Sequence, residues 1–120
     1  MYEMYVSVYV TTSSEHEAKD IAKNLLDQRL IACANLFPIT SLYFWDEKLQ
    51  EEAEIAIIMK TRAGLVDILI DELKKLHSYD VPCIVSWDII KGNEEYLSWI
   101  KGETVEAEAD DLPGRKGKDL

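Results

Sequence analysis

Hydrophobic residues alternate with a period of two between Tyr5 and Thr11, which is the pattern of a β-strand. One face carries three valines, and the other carries Tyr5, Ser7 and Tyr9. Because both faces are largely apolar, we expect this strand to lie in the interior of a sheet.

A helix is predicted next, because the hydrophobic spacing changes to three and four residues. Ser14 and Glu17 form a capping box, in which the serine hydroxyl and the glutamate carboxylate each accept a free backbone N–H. Arg29, near the helix end, complements the negative end of the helix dipole. The predicted apolar face consists of Ala18, Ile21, Ala22, Leu25 and Leu26.

The segment from Ile31 to Trp45 has the composition of one long extended stretch. It contains Pro38, which has no N–H to donate a hydrogen bond to a neighbouring strand and therefore indicates a bulge or an edge strand. The polar residues 46–49 are expected to link it to a returning strand that runs from about Glu51 to Thr61. Together the two strands predict a long hairpin.

A second helix is predicted from Ala63 to His77, followed by a strand from Cys83 to Ile90. Asn93 then serves as the cap of a short helix. The order strand, helix, hairpin, helix, strand predicts an α+β fold of the ferredoxin-like βαββαβ type, with an extra short C-terminal helix. We expect this domain to span residues 1–102 and a charged C-terminal tail to span residues 103–120.

The charge balance excludes one class of partner. The chain carries 13 basic and 23 acidic residues, for a net charge of −10. Since a nucleic-acid binder needs clustered Lys and Arg, we expect no nucleic-acid partner. No apolar run approaches the roughly 18 residues of a membrane span, and the N-terminus lacks a signal-peptide pattern. We therefore expect a cytoplasmic protein without a membrane partner, with Cys33 and Cys83 as free thiols.

Enzyme signatures are missing from the sequence. It contains no P-loop, no G-x-G-x-x-G, no G-x-S-x-G and no H-E-x-x-H. We therefore expect a protein that is not an enzyme and requires no cofactor.

The hairpin gives the strongest indication of self-association. It carries four consecutive large apolar residues, from Leu42 to Trp45, and both of its faces are apolar. Such a hairpin extends beyond a domain of this size, and large exposed apolar patches usually mark interfaces. The alternative is that these aromatic residues only fill the core of their own subunit.

Several stretches, in this order and spacing, resemble the CutA divalent-cation tolerance family. They are Thr11-Thr12, Glu15 to Leu36, Ser41 to Trp45, Lys48 with Glu51 and Glu54, Ile58 to Thr61, Leu76 to Pro82, and Asn93 to Ile100. The resemblance covers residues 4–101. It implies a compact homotrimer, a role in tolerance of divalent metal ions, and binding of copper or similar ions.

The sequence departs from this family at the copper site that the resemblance implies. Copper-binding bacterial members have a Cys where Val10 stands, and a first His where Leu76 stands. Of that site only His77 is carried over. Cys83 lies close to it along the chain, and an imidazole with a thiolate suits copper or zinc. We therefore predict His77 and Cys83 as metal ligands, with a structural helix-end histidine as the alternative.

Lys60 is unusual because it follows an apolar strand segment, where a lysine needs a partner or an exit to solvent. Lys60 has two possible partners. It could pair with an acidic residue of a neighbouring subunit, or it could contact an anionic ligand. The second option would suit a regulatory trimer similar to the PII signalling proteins, which is the alternative function. The residues expected at an inter-subunit interface or cleft are Tyr43, Trp45, Lys48, Glu51, Lys60 and Tyr79.

Overall fold

The computed structural model of the protein describes residues 3–106. It contains β1 (Tyr5–Thr12), α1 (Glu15–Asp27), β2 (Cys33–Trp45), β3 (Lys48–Arg62), α2 (Val66–Leu76), β4 (Ile84–Ile89) and α3 (Glu94–Glu103). The four strands form one antiparallel sheet in the order β2-β3-β1-β4. The predicted ferredoxin-like α+β fold, with its long hairpin and extra C-terminal helix, is confirmed. Within residues 3–106, no helix combines the length and the apolar character needed to cross a membrane.

Helices α1 and α2 cover one face of the sheet, which we call the inner face. The valines of β1 are buried there, together with Ile57 and Met59 of β3. Leu25 of α1 and Leu69 of α2 pack into the same core, as the helical spacing predicts. Leu26, predicted for the same helix face, lies at its margin and is 37% exposed.

The end of α1 differs from the prediction for Arg29. The N–H groups of Arg29 and Leu30 return to the carbonyls of Leu26 and Leu25, which is the Schellman arrangement. Arg29 therefore lies beyond the helix in the left-handed region, with φ of 59°. Its guanidinium pairs with Glu103 at 2.9 Å instead of contacting the helix carbonyls.

The hairpin turn is tighter than predicted. Only Asp46 and Glu47 form the turn, and both have positive φ, at 49° and 63°. Two such residues are the signature of a type I′ turn, whose twist matches the flanking strands. Strand β3 consequently begins at Lys48, three residues before the predicted start at Glu51. Pro38 lies in the edge strand β2 as predicted, and the register runs through it without a bulge.

Helix α2 is shorter than predicted at both ends. A separate 3-10 turn occupies Ala63–Leu65, and His77 is the C-cap residue with extended backbone. Asn93 is the N-cap residue of α3 as predicted, although its side chain makes no capping hydrogen bond.

Helix α3 lies against the opposite side of the sheet, the outer face. Its Tyr96 hydroxyl contacts the Cys33 thiol at 3.3 Å, and Ile100 is fully buried. The chain after α3 stays attached, since Thr104 is buried and the N–H of Val105 donates to the carbonyl of Arg29. The first residues of the predicted tail thus pack against the domain, and the tail from residue 107 onward lies outside the described residues.

Arg62 anchors this C-terminal segment. It is only 4% exposed, and its Nε donates to Thr104 Oγ1 at 2.8 Å. Its Nη2 donates to the carbonyls of Thr104 and Val105, and its Nη1 lies 3.4 Å from a carboxylate oxygen of Glu3. One guanidinium thus joins the end of β3 to both ends of the described chain.

Candidate functional site

A buried polar cluster lies where the end of β1, the start of α1 and the end of α2 meet. At its centre is His77, whose side chain has no exposed surface. Its Nε2 lies 2.7 Å from the carbonyl oxygen of Thr11, and its Nδ1 accepts the N–H of Tyr79 at 3.1 Å. Because Nδ1 accepts, Nε2 carries the proton and donates to Thr11. We call this arrangement the His77 junction.

Glu17 closes the side of the junction that faces α1. Its Oε1 accepts the N–H of Ser13 at 3.0 Å and the Ser13 hydroxyl at 2.8 Å, and its Oε2 accepts the N–H of Ser78 at 2.8 Å. Burial alone would raise the pKa of Glu17, but these hydrogen bonds lower it to about 2. The carboxylate is therefore charged at any physiological pH.

The capping box is formed with one change from the prediction. The Ser14 hydroxyl accepts the N–H of Glu17 at 3.1 Å, as expected. The return bond from Glu17 goes to Ser13, one residue earlier than predicted, and leaves the second carboxylate oxygen free to hold Ser78. The capping box can be predicted from the sequence. The contact of Glu17 with Ser78, which links α1 to the turn after α2, depends on tertiary structure.

Tyr79 connects the junction to the base of the hairpin. Its ring lies 4.7 Å from that of His77, and its hydroxyl donates to Glu54 Oε2 at 2.7 Å. Burial and the bond to Glu54 raise the pKa of Tyr79, so its phenol stays protonated as the donor. The junction therefore ties β1, α1, α2 and β3 together.

The predicted ligands His77 and Cys83 do not form a ready metal site in this arrangement. Both ring nitrogens of His77 already have partners, so an ion would have to displace Thr11 or Tyr79. Burial and Glu54 raise the pKa of Cys83, which disfavours the thiolate that binds metals. Between residues 3 and 106, no group of three or more His, Cys, Asp or Glu side chains is placed to hold one ion. The contacts of His77 fit the structural alternative.

Five of the six predicted interface residues are spread along the hairpin, and Tyr79 lies beyond the end of α2. Tyr43 donates to Glu52, and Trp45 lies opposite Lys48 beside the turn. Glu51 lies opposite Leu42, on the other face of the hairpin from Tyr43. Twelve residues of strand separate Lys48 from Lys60, a distance of about 40 Å. One chain therefore does not bring these residues into a single site.

Lys60 has a partner within its own chain. Its Nζ lies 3.4 Å from the side-chain oxygen of Asn35, next to it on the outer face. This contact accounts for its position without an acidic residue or an anionic ligand, both of which stay predictions.

An exposed apolar surface lies on the outer face and the hairpin. Trp87 is 47% exposed and stands beside Tyr9, with ring centroids 6.3 Å apart. At the hairpin, Phe44 is 72% exposed and Trp45 is 61% exposed. The sequence predicted this exposure for the hairpin and an apolar second face that includes Trp87, and the register of β4 against β1 places Trp87 beside Tyr9.

Comparison with known proteins places these features in a family. Residues 6–103 match the family profile described as "CutA1 divalent ion tolerance protein". The chain is 45% identical to the divalent-cation tolerance protein CutA of Archaeoglobus fulgidus, over 86% of this chain and 100% of the relative. It is 37% identical to human Protein CutA, over 82% of this chain and 55% of the relative.

Solved structures agree with the sequence matches. The CutA1 structure from Oryza sativa superimposes with a TM-score of 0.84 at 39% identity, covering 86% of this chain and 95% of that one. The CutA1 structure from Ehrlichia chaffeensis gives a TM-score of 0.83 at 34% identity, covering 88% and 100%.

Proposed function

This chain belongs to the CutA1 divalent ion tolerance family, and we propose that it acts in tolerance of divalent metal ions as a homotrimer. The observation that carries the trimer is the apolar surface on the outer face and the hairpin. Helices α1 and α2 bury the centre of the inner face, whereas α3 covers only one end of the outer face.

The physical argument for assembly concerns both the apolar area and the strand edges. Exposed tryptophan and phenylalanine at this density are costly in water and are typical of interfaces. Strand β2 is a long edge strand, and its unpaired backbone groups invite another strand. A closed ring of three copies covers both features in every copy without leaving one open.

Introduction of a charge at one residue of each face tests the trimer. Trp87→Glu places a charge on the outer face, where the proposed interface would bury it, and should shift the sedimentation coefficient from trimer to monomer. Leu26→Glu is the matched control, because Leu26 is also partly exposed but lies on the helical side. A trimer that tolerates Trp87→Glu as well as Leu26→Glu would contradict this interface.

Copper or a similar divalent ion is the proposed ligand of the trimer, bound weakly and not required for folding. His77 and Cys83 remain the ligands proposed from the sequence, and binding there requires the His77 ring to give up one of its two hydrogen bonds. Titration with copper under reducing conditions compares the unaltered protein with His77→Ala and Cys83→Ser. Equal affinity in all three proteins would remove these two residues from any copper site.

Absence of catalysis and a cytoplasmic location are also part of the proposal. The two archaeal relatives, from A. fulgidus and Pyrococcus horikoshii, carry the word tolerance, and not an enzyme activity, in their names. The compartments of the relatives differ, since the rice and Arabidopsis relatives are named chloroplastic and the A. fulgidus structure is described as periplasmic. Fractionation of the source cells tests the location of this chain directly.

A further inference from the structure

We propose that His16 and Asp20, on the exposed side of α1, bind a divalent transition-metal cation of the Ni²⁺, Cu²⁺ or Zn²⁺ type. The inference adds a site to the proposed function and rests on it only for the biological meaning of cation binding. The binding itself depends on α1 and its groove, and not on assembly.

The first argument is access. Imidazole is the side chain that borderline divalent cations prefer in proteins, and the chain has two histidines. The side chain of His77 is buried, and both of its ring nitrogens are in hydrogen bonds. The side chain of His16 is 89% exposed. A cation added to the folded protein therefore meets one accessible imidazole, that of His16.

The second argument is distance. His16 Nε2 and Asp20 Oδ2 lie 3.1 Å apart, one helical turn from each other. Two neighbouring ligands of a cation with bonds of about 2.1 Å are separated by roughly 3.0–3.4 Å for angles between octahedral and tetrahedral values. The two donor atoms are thus already spaced as one edge of a coordination shell, and a cation can replace the proton between them.

The third argument is the surroundings of the pair. His16 and Asp20 line an open groove of about 370 Å³, whose walls also include Glu17, Asn24 and Ser78. Glu17 keeps its negative charge because its pKa is about 2, and this charge favours a cation in the groove. Since described residues 3–106 place no three His, Cys, Asp or Glu ligands around one point, water must complete the shell. We therefore expect one weakly bound cation per chain.

The groove lies on the helical side of the domain, away from the apolar outer face. Assembly through the outer face therefore leaves His16 open to solvent. The two thiols compete poorly, because burial raises the pKa of Cys83 and the Cys33 thiol contacts the Tyr96 hydroxyl. An ordinary helix-stabilising ion pair is the simpler interpretation of His16 and Asp20, and the experiment separates it from a cation site.

Calorimetric titration with Ni²⁺, which thiols do not reduce, tests the site in the full chain. We expect one Ni²⁺ per chain, and at least a tenfold weaker affinity in His16→Ala and in Asp20→Asn, since loss of even an outer-shell partner has an effect of that size. Glu15→Gln is the matched control, because it removes a carboxylate from the same turn that pairs with Lys19 instead. It should change the affinity less than twofold.

Paramagnetic broadening of amide NMR signals by Ni²⁺ locates the ion independently. Broadening centred on residues 13–24 supports the inference. Three results overturn it: broadening centred on His77 and Cys83, unchanged affinity in His16→Ala, or no binding at millimolar Ni²⁺. The first of these would leave the metal part of the proposed function standing, and a monomer that still binds Ni²⁺ through His16 would contradict only the proposed trimer.

Discussion

Glu17 joins the start of α1 to the turn after α2 through one carboxylate. It accepts three hydrogen bonds from two separate segments, and two of these come from backbone N–H groups. A charged acceptor of this kind stabilises its donors more than a neutral one does. The residue therefore contributes to stability through its charge.

Glu17→Gln should lower the free energy of unfolding by about 1–2 kcal/mol at pH 7, because the amide offers one acceptor oxygen and no charge. Since the pKa of Glu17 is lowered from 4.5 to about 2, its contribution is complete above pH 4.5 and disappears as the pH falls toward 2. Urea unfolding at pH 7 and pH 3, at one protein concentration, measures this. The gap between the two proteins should narrow at pH 3.

The exposed Glu15 offers a control for this prediction, since it pairs with Lys19 on the helix surface. Glu15→Gln should change the stability by less than about 0.5 kcal/mol. A gap between Glu17→Gln and the unaltered protein that stays constant from pH 7 to pH 3 would contradict the role of the charge.

Arg62 is the second residue on which several segments depend. Arg62→Lys keeps the positive charge but loses the planar fork that reaches Thr104 and Val105, so we expect a loss of about 2–3 kcal/mol. The same substitution should accelerate hydrogen exchange at the Val105 N–H. Arg29→Lys, which alters an exposed pair with Glu103, should cost less than 1 kcal/mol. Equal losses in both variants would contradict the anchoring role of Arg62.

The sequence predicted several local interactions of single residues, but not their tertiary contacts. The capping box of α1 is visible because Ser14 and Glu17 are three positions apart. The partners of His77 and Arg62 are not visible, because Thr11 and Thr104 approach them only after the sheet has formed. Their side chains could be expected to need partners, but which partners depends on long-range packing.

At the scale of elements, the hairpin turn is the feature least consistent with its own sequence. Asp46 and Glu47 both adopt positive φ, and a glutamate in this region costs roughly 1–2 kcal/mol relative to a right-handed conformation. The extended pairing of β2 with β3, thirteen residue pairs long, holds the turn in this shape. Periodicity predicted both strands, and it failed at the turn because the usual glycine signal is absent.

Glu47→Gly should therefore stabilise the protein by up to about 1 kcal/mol, because the removed strain exceeds the added entropy of the unfolded chain. Thermal unfolding at fixed concentration measures the effect. Glu51→Gly, in the regular part of β3, should instead destabilise by about 0.5–1 kcal/mol. Destabilisation by both substitutions would show that the turn is not strained.

On the scale of the whole molecule, the domain is amphipathic. Two helices bury the centre of the inner face, while the outer face and the hairpin present apolar rings to water. The sequence predicted the hairpin surface from four consecutive apolar residues, and the fold class from the order of elements. The sequence also indicated that Tyr9 and Trp87 leave the second sheet face apolar, and the pairing of β4 with β1 places these two rings side by side.

The mass of the protein in solution tests the central proposal most directly. Light scattering at micromolar concentration, with and without a chelator, should give about three times the 13.8 kDa of one chain in both conditions. An unchanged mass with the chelator means that the apolar surface, and not a metal ion, holds the copies together. A mass of one chain without the chelator would contradict the proposed trimer, and a trimer that dissociates on chelation would contradict its apolar origin.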